Sequence, residues 1–305
     1  MARRLAALIL ALAGFTGPAL AESWQVPQPY VIPLPPTIEP NFELGLRYWA
    51  SEGDTNRVAA NGGLHYDSVD GNSGEFVFRA QNSAQFFGKG FVGGGGLSGG
   101  TLEGSDSQVG LAATNSRAGD GSLVYGTIDI GKRFDIMESG PRFSVSPFIG
   151  LNIFQEKIAA FGADGVSSST KVFSDDSTWT NLRLGGEARL TFCDRITLIA
   201  DVALLPVAYL SNEERIMAPL GALPNVDNSG TGWGYQIDAE ARYDFGPQWS
   251  AGAGFRYWYA EVTDGDTRVS SGTGPTSTWT NFPPSASVSM AMSAIGSDRH
   301  RSCAP

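Results

Sequence analysis

Residues 179–210 constrain the chain more than any other stretch. They read WTNLRLGGEARLTF, then Cys193-Asp194-Arg195, then ITLIADVALLPVAYL. Leu182, Leu184, Ala188 and Leu190 alternate with Asn181, Arg183, Glu187 and Arg189. Ile196, Leu198, Ala200, Val202 and Leu204 then alternate with Thr197, Ile199, Asp201 and Ala203. A period of two is the period of a strand, because successive side chains point to opposite faces. Two such runs about a short turn form a hairpin. One face is apolar throughout and the other carries full charges. A soluble sandwich tolerates that pattern, and so does a membrane barrel with lipid outside and a wet lumen inside.

The rest of the chain decides between them. Arg3 and Arg4 precede the apolar run 5–14, and Ala19-Leu20-Ala21 follows with small residues suited to cleavage. Residues 1–21 therefore read as a secretory signal peptide, with the mature chain starting near Glu22. No later stretch has the length of apolar residues that a transmembrane helix needs. Strands need far less, and each can cross with about 9–11 alternating residues. The 39 glycines and 11% aromatics suit strand packing and interfacial girdles, while 17% charged residues is low for a soluble domain. The net charge of −10 becomes −12 without Arg3 and Arg4, which argues against a nucleic-acid partner.

Residues 22–40 hold Pro27, Pro29, Pro33, Pro35, Pro36 and Pro40 and read as an extended periplasmic lead-in. Alternating runs then follow at 42–49, 63–69, 75–96, 122–134, 142–155, the two arms of the 179–210 hairpin, 232–245 and 249–262. A tenth and weaker run lies around Val288, Met290 and Met292. Tight turns are expected near Asp70, Glu138, Asp194 and Pro247. Longer loops are expected near Asp54, Asp106, Asp164, Glu214 and Asp266. Short and long connections alternate, as in outer-membrane barrels with short periplasmic turns and longer outer loops. Aromatics agree: Tyr48, Tyr235 and Tyr257 fall toward the long loops, and Phe42, Tyr243 and Trp249 toward the short turns. The expected fold is all-β, an antiparallel up-and-down transmembrane barrel of about ten strands over residues 41–295, with a tail at 296–305.

The inward-facing positions carry Glu43, Arg47, Asp67, Glu75, Arg79, Lys89, Asp129, Arg183, Glu187, Arg189, Asp201, Asp238, Glu240, Arg242 and Arg256. Both signs are interspersed, and a barrel this narrow brings opposite walls within side-chain reach. These groups are expected to pair and largely fill the lumen. His65 is expected on the same polar face, as a hydrogen-bond partner of Asp67 or Glu75. Gly88-Lys89-Gly90-Phe91-Val92-Gly93 spells a dinucleotide fingerprint without the strand–turn–helix context it requires. No cofactor or metal set is indicated. Cys193 and Cys303 lack metal-ligand spacing and read as two free thiols, with a bridge between them on the short-turn side as the alternative.

The segments FELGLRYWASEGDTNR, DSVDGNSGEFVFR, GFVGGGGLSGG, GSLVYGTIDIGKRF, STWTNLRLGGEARL and GFRYWYAEV resemble the omptin-like outer-membrane barrels. Within that adhesin and peptidase superfamily they are most similar to bacterial relatives not known to be proteases. The resemblance implies a ten-stranded barrel embedded with lipopolysaccharide and inserted by the barrel-assembly machinery. Omptin proteases use an acidic pair on the second outer loop and an Asp–His pair on the fourth. Here the matching loops offer Glu103 and Asp106 in LEGSDS, and Glu213 and Glu214 in SNEER, with no histidine. Without an imidazole to activate water, the expected role is non-enzymatic, through outer-loop contact with an extracellular ligand or as a structural barrel. An omptin-type endopeptidase with altered carboxylates and a small diffusion pore are the alternatives.

Overall fold

A computed structural model of the chain describes residues 41–59, 62–106, 111–137, 141–163, 166–192, 195–218, 221–246, 249–270, 280–281 and 286–299. All lie within the second of two compact units, Ile38–Pro305. The expected signal peptide, the proline-rich lead-in, and the Cys193–Cys303 pair fall outside the described residues.

The strands are β1 (Asn41–Ala59), β2 (Gly62–Gln81), β3 (Phe86–Ser98), β4 (Thr101–Asp106), β5 (Leu111–Lys132), β6 (Phe134–Met137), β7 (Arg142–Ala163), β8 (Val166–Phe192), β9 (Ile196–Ala218), β10 (Gly221–Asp244), β11 (Trp249–Ser270), β12 (Thr280–Asn281) and β13 (Ala286–Arg299). Every pairing among them is antiparallel, and the sheet closes: β1 pairs β2 on one side and β13 on the other, and β13 pairs β11. β3 and β4 share one position in the ring, both lying between β2 and β5. The ring thus has ten staves, or eleven strands with β3 and β4 counted apart. The weak tenth run is the closing stave, and it reaches Arg299, four residues into the expected tail.

Closure can be measured from the register. From Asn41 the directly paired residues are Gln81, Phe87, Gly131, Phe148, Gly185, Ala203, Gln236, Trp258 and Met290. Met290 then pairs Gly53, twelve residues along the strand where the circuit began. Twelve residues at ~3.3 Å against ten spacings of ~4.8 Å give a tilt of about 40° and a backbone radius of about 10 Å.

The two faces follow the expected alternation. Leu46, Phe76, Val92, Ile128, Ile130, Ile149, Leu151, Ile153, Leu184 and Val202 are exposed on the outer wall, Ile130 to 61%, whereas Trp49, Asp129, Asn152, Arg183 and Arg256 are buried within. Phe42, Phe134, Tyr243, Phe245 and Trp249 ring the short-turn end on the outside. Toward the other end Trp233, Tyr235, Tyr257 and Tyr259 form one outer cluster, with neighbouring ring centroids 5.2–6.5 Å apart.

Three expectations are corrected. Asp70–Gly74 is no turn but the middle of β2, flanked by β1 and β3. Gly71 serves there as a close-approach residue, since a Cβ would lie 2.3 Å from Ser51 Oγ. The actual turn is Asn82–Gln85. The Asn82 side-chain oxygen accepts from the Ala84 and Phe86 amides (both 3.0 Å), and Gln85 adopts φ 66°. Second, the expected outer loops are largely strand. Asp54, Asp106, Glu214 and Asp266 all sit in paired strands that carry the wall onward as β-hairpins. Asp164, Glu138, Asp194 and Pro247 fall outside the described residues. Asp67, expected in the lumen, is exposed on β2 beyond the barrel proper, where Ser68 at φ 54° donates its amide to Asp54 (2.9 Å).

If lipid covers the outer wall, Ile128→Lys should cost about 2–4 kcal/mol of folding stability in lipid vesicles. Urea unfolding of the vesicle-inserted protein measures this, and Glu103→Lys in the extension should leave the midpoint unchanged.

Candidate functional site

The closed wall fixes what the lumen can contain. At a radius near 10 Å, long side chains from opposite staves meet. They do so in one continuous chain of ion pairs. Arg256 binds Asp238 and Glu75, each at 2.7 Å. Arg47 links Glu75 (3.2 Å) to Glu240 (2.7 Å), and Arg242 links Glu240 (3.0 Å) to Glu43 (3.2 Å). Arg189 joins Glu43 (3.6 Å) to Glu187 (2.5 Å). Glu187 also accepts from Arg79 (2.8 Å) and Lys89 (2.7 Å). Lys89 continues to Asp201, and Arg183 joins Asp201 (3.2 Å) to Asp129 (3.3 Å). Among the described residues, these pairs join seven cations to seven carboxylates. Charges buried this deeply persist only when paired. Around them lies a cavity of about 110 Å³.

Above the charges sits an aromatic layer. Arg256 stacks on Trp49 and Phe91 (both 4.4 Å to the centroid) and on Trp258 (5.1 Å), which joins the two layers. Trp258 is the hub, with Phe91, Tyr125 and Phe154 at 6.2, 5.7 and 5.8 Å. Gly93 makes room for Tyr125, whose ring would lie 2.5 Å from a Cβ there. Higher still, Tyr66 of β2 meets Phe173 of β8 across the mouth at 6.3 Å, packed with Leu102, Ala118, Ile158 and Val172. The three layers follow one another from the charged level to the mouth.

The catalytic candidates lie on two strands that are not neighbours, β4 and β9. Glu103 is exposed on β4, with His65 directly across on β2. His65 therefore lies beside Glu103 rather than near Glu75. The side chain of Asp106 falls outside the described residues. Glu213 is half-exposed and bonded to Arg215 (2.8 Å), while its neighbour Glu214 is buried and accepts from Asn228 (3.0 Å). Consecutive strand residues face opposite ways, and β4 and β9 are not neighbours in the ring. Among the described residues no group of three or more His, Cys, Asp or Glu side chains is placed to hold a metal. Sequence reasoning placed Asn181 on the polar face but missed the buried amides Asn152, Asn212 and Asn228; Asn152 is hydrogen-bonded to Asn181 and Gln236, and Asn212 to Asn228. Their signal was present, as Ser177, Asn181 and Arg183 alternate with outward residues on β8.

A closed antiparallel wall with an apolar outside and a polar, filled inside defines an outer-membrane β-barrel. Residues 38–256 match the autotransporter beta-domain, and the chain belongs to that family. No curated protein sequence matches it. Among solved structures, the outer membrane protease OmpT from Escherichia coli is similar with a TM-score of 0.58 at 12% identity, over 87% of this chain and 97% of that one. The translocator domain of the autotransporter NalP from Neisseria meningitidis gives a TM-score of 0.33 at 9% identity, over 85% and 88%. The likeness to OmpT is one of fold.

Glu187→Gln removes the charge that three cations share, and should cost about 3–5 kcal/mol in urea unfolding. Arg215→Ala breaks only an exposed pair and should leave the midpoint unchanged. Outside the membrane band, burial works against the Asp176 carboxylate, but hydrogen bonds from Lys157 and Gln155 outweigh it and hold it below the usual range. Its contribution is therefore present at neutral pH and lost as pH falls through that lowered pKa. Lys157→Met should weaken the acid dependence slightly, since the pair is largely solvated.

Proposed function

We propose that the chain is a sealed, non-catalytic outer-membrane barrel whose working surface is the protruding hairpins, with an extracellular ligand as partner. It is exported by a signal peptide cleaved after residue 21, inserted by the barrel-assembly machinery, and surrounded by lipopolysaccharide. The observation that carries this reading is the aromatic layer around Trp258, stacked through Arg256 on the layer of paired charges. A conduit for solutes or for an unfolded polypeptide needs a lumen free of side chains, and a narrow barrel has no room for both. Peptide hydrolysis needs a base held beside an acid in an open cleft. Here Glu103 faces solvent, Glu214 faces inward, and apolar side chains occupy the mouth.

Refolded protein in planar bilayers should show no stepwise conductance. Trp258→Ala combined with Phe91→Ala should introduce it, because together they remove the centre of the seal. Dibasic peptides incubated with the refolded protein should stay intact. Cleavage lost on Asp106→Asn would establish the peptidase reading instead, and conductance steps in the unaltered protein would establish the pore.

A further inference from the structure

Toward the long hairpins the wall is interrupted along one line. The register of β1 with β2 skips between Gly53 and Thr55, and Ser68 of β2 lies at that skip with φ 54°. β3 gives way to β4 through Gly99 and Gly100, at φ 71° and 79°. In β5 Asp120 adopts φ 48°, and the register with β7 skips between Gly119 and Ser122. These breaks share one level, because Gly53 pairs Val69, Asp70 pairs Ser98, and Leu97 pairs Gly121. Left-handed backbone is uncommon outside glycine, and here it recurs in three neighbouring staves.

Each break puts one residue out of the alternation. On the short-turn side of the line the buried residues are odd-numbered: Glu75 and Arg79 on β2, Leu97 on β3, Leu123 and Tyr125 on β5. Beyond it they are even-numbered: Tyr66 on β2, Leu102 on β4, Ser116 and Ala118 on β5. The segments beyond the line, 55–59, 62–67, 101–106 and 111–119, pair with one another as a flap of four strands. Among the described residues, each edge of the flap is tied to the wall by three residue pairs. Thr55, Asn56 and Arg57 pair with β13, and Arg117, Ala118 and Gly119 pair with β7. The inner face of the flap lies over the mouth. Tyr66 meets Phe173 there, Leu102 and Ala118 belong to the same buried cluster as Ile158 and Val172, and Ser116 Oγ donates to the Gly162 carbonyl (2.5 Å).

A segment with few lateral bonds opens at lower free energy than a fully paired one. We infer that this flap is a lid, hinged on the line through Gly53, Ser68, Gly100 and Asp120 and held shut by Tyr66 on Phe173. Swung outward, it bares the apolar mouth at Ile158, Val172 and Phe173. Glu75, Arg79, Lys89 and Asp129 lie on the short-turn side of the line, so the ion pairs take no part in the movement. The inference does not depend on whether the hairpins have a ligand.

The test is a distance measurement between paired spin labels on the full-length protein in lipid vesicles, with Cys193 and Cys303 replaced by Ser. One pair of labels goes on Glu103 of the flap and Glu213 of β9, both at the surface. A second pair, on Val124 and Val202, reports the wall on the short-turn side of the line. The flap pair should show a short distance and a second, longer one, and Phe173→Ala should shift the population toward the longer. If Phe173→Ala does not refold, Leu102→Ala removes part of the same contact and should shift it in the same direction. The wall pair should keep one narrow distance throughout. A single unchanged distance for the flap pair in every protein would overturn the hinge. Equal broadening of the wall pair would overturn it too, since the whole barrel would then be loosening.

Discussion

Lipid offers no partner for a backbone N–H or C=O, so a sheet that crosses it must leave no edge unpaired. That requirement governs everything else in this molecule. To close, β13 must bond both β1 and β11, although its own sequence is poor in strand formers. Closure over ten staves with an offset of twelve residues fixes the tilt, and the tilt fixes the radius. The radius in turn decides that Arg79 on β2 reaches Glu187 on β8, and that Arg47 on β1 reaches Glu240 on β10. A wider barrel would leave those charges hydrated in a channel. This one forces them into contact.

The stacking of layers follows from what each charge can afford to lose. Arg256 gives up water on every side and regains two carboxylates below and three aromatic faces around it. It is the joint between an ionic layer and an apolar one. Glycines on the inner wall permit the close packing: Gly93 receives the Tyr125 ring, and Gly131 and Gly185 receive Phe87 and Phe148. Surface chemistry is concentrated on the extension, where Glu103, Asp67 and Glu213 meet solvent.

How far the site was legible depends on the surroundings of each residue. Within the lipid band every second residue is apolar, so Ile128, Ile130, Leu184 and Val202 announce the face they occupy. Beyond it both faces of the hairpins are polar or mixed, the period disappears, and residues such as Asp54 and Glu214 look like loop. The segment Asp70–Gly74 carries every mark of a turn, but those marks record close strand approach at Gly71. The turn at Asn82–Gln85 has no glycine and relies on one Asn side chain, a weaker signal. Asp67 shares the polar side of the run 63–69 with His65 and so reads as inward, but beyond the barrel proper it is the apolar Tyr66 that is buried inside and Asp67 that is exposed.

The sequence by itself determined the strand class, the sidedness of each wall-forming residue in the lipid band, and the list of charges sent inward, because those follow from a period of two. Which charge meets which, and that Trp258 stands at the centre of an aromatic cluster, only the tertiary structure decided. Those contacts join staves far apart along the chain, and the register of a closed ring is a property of all its strands at once.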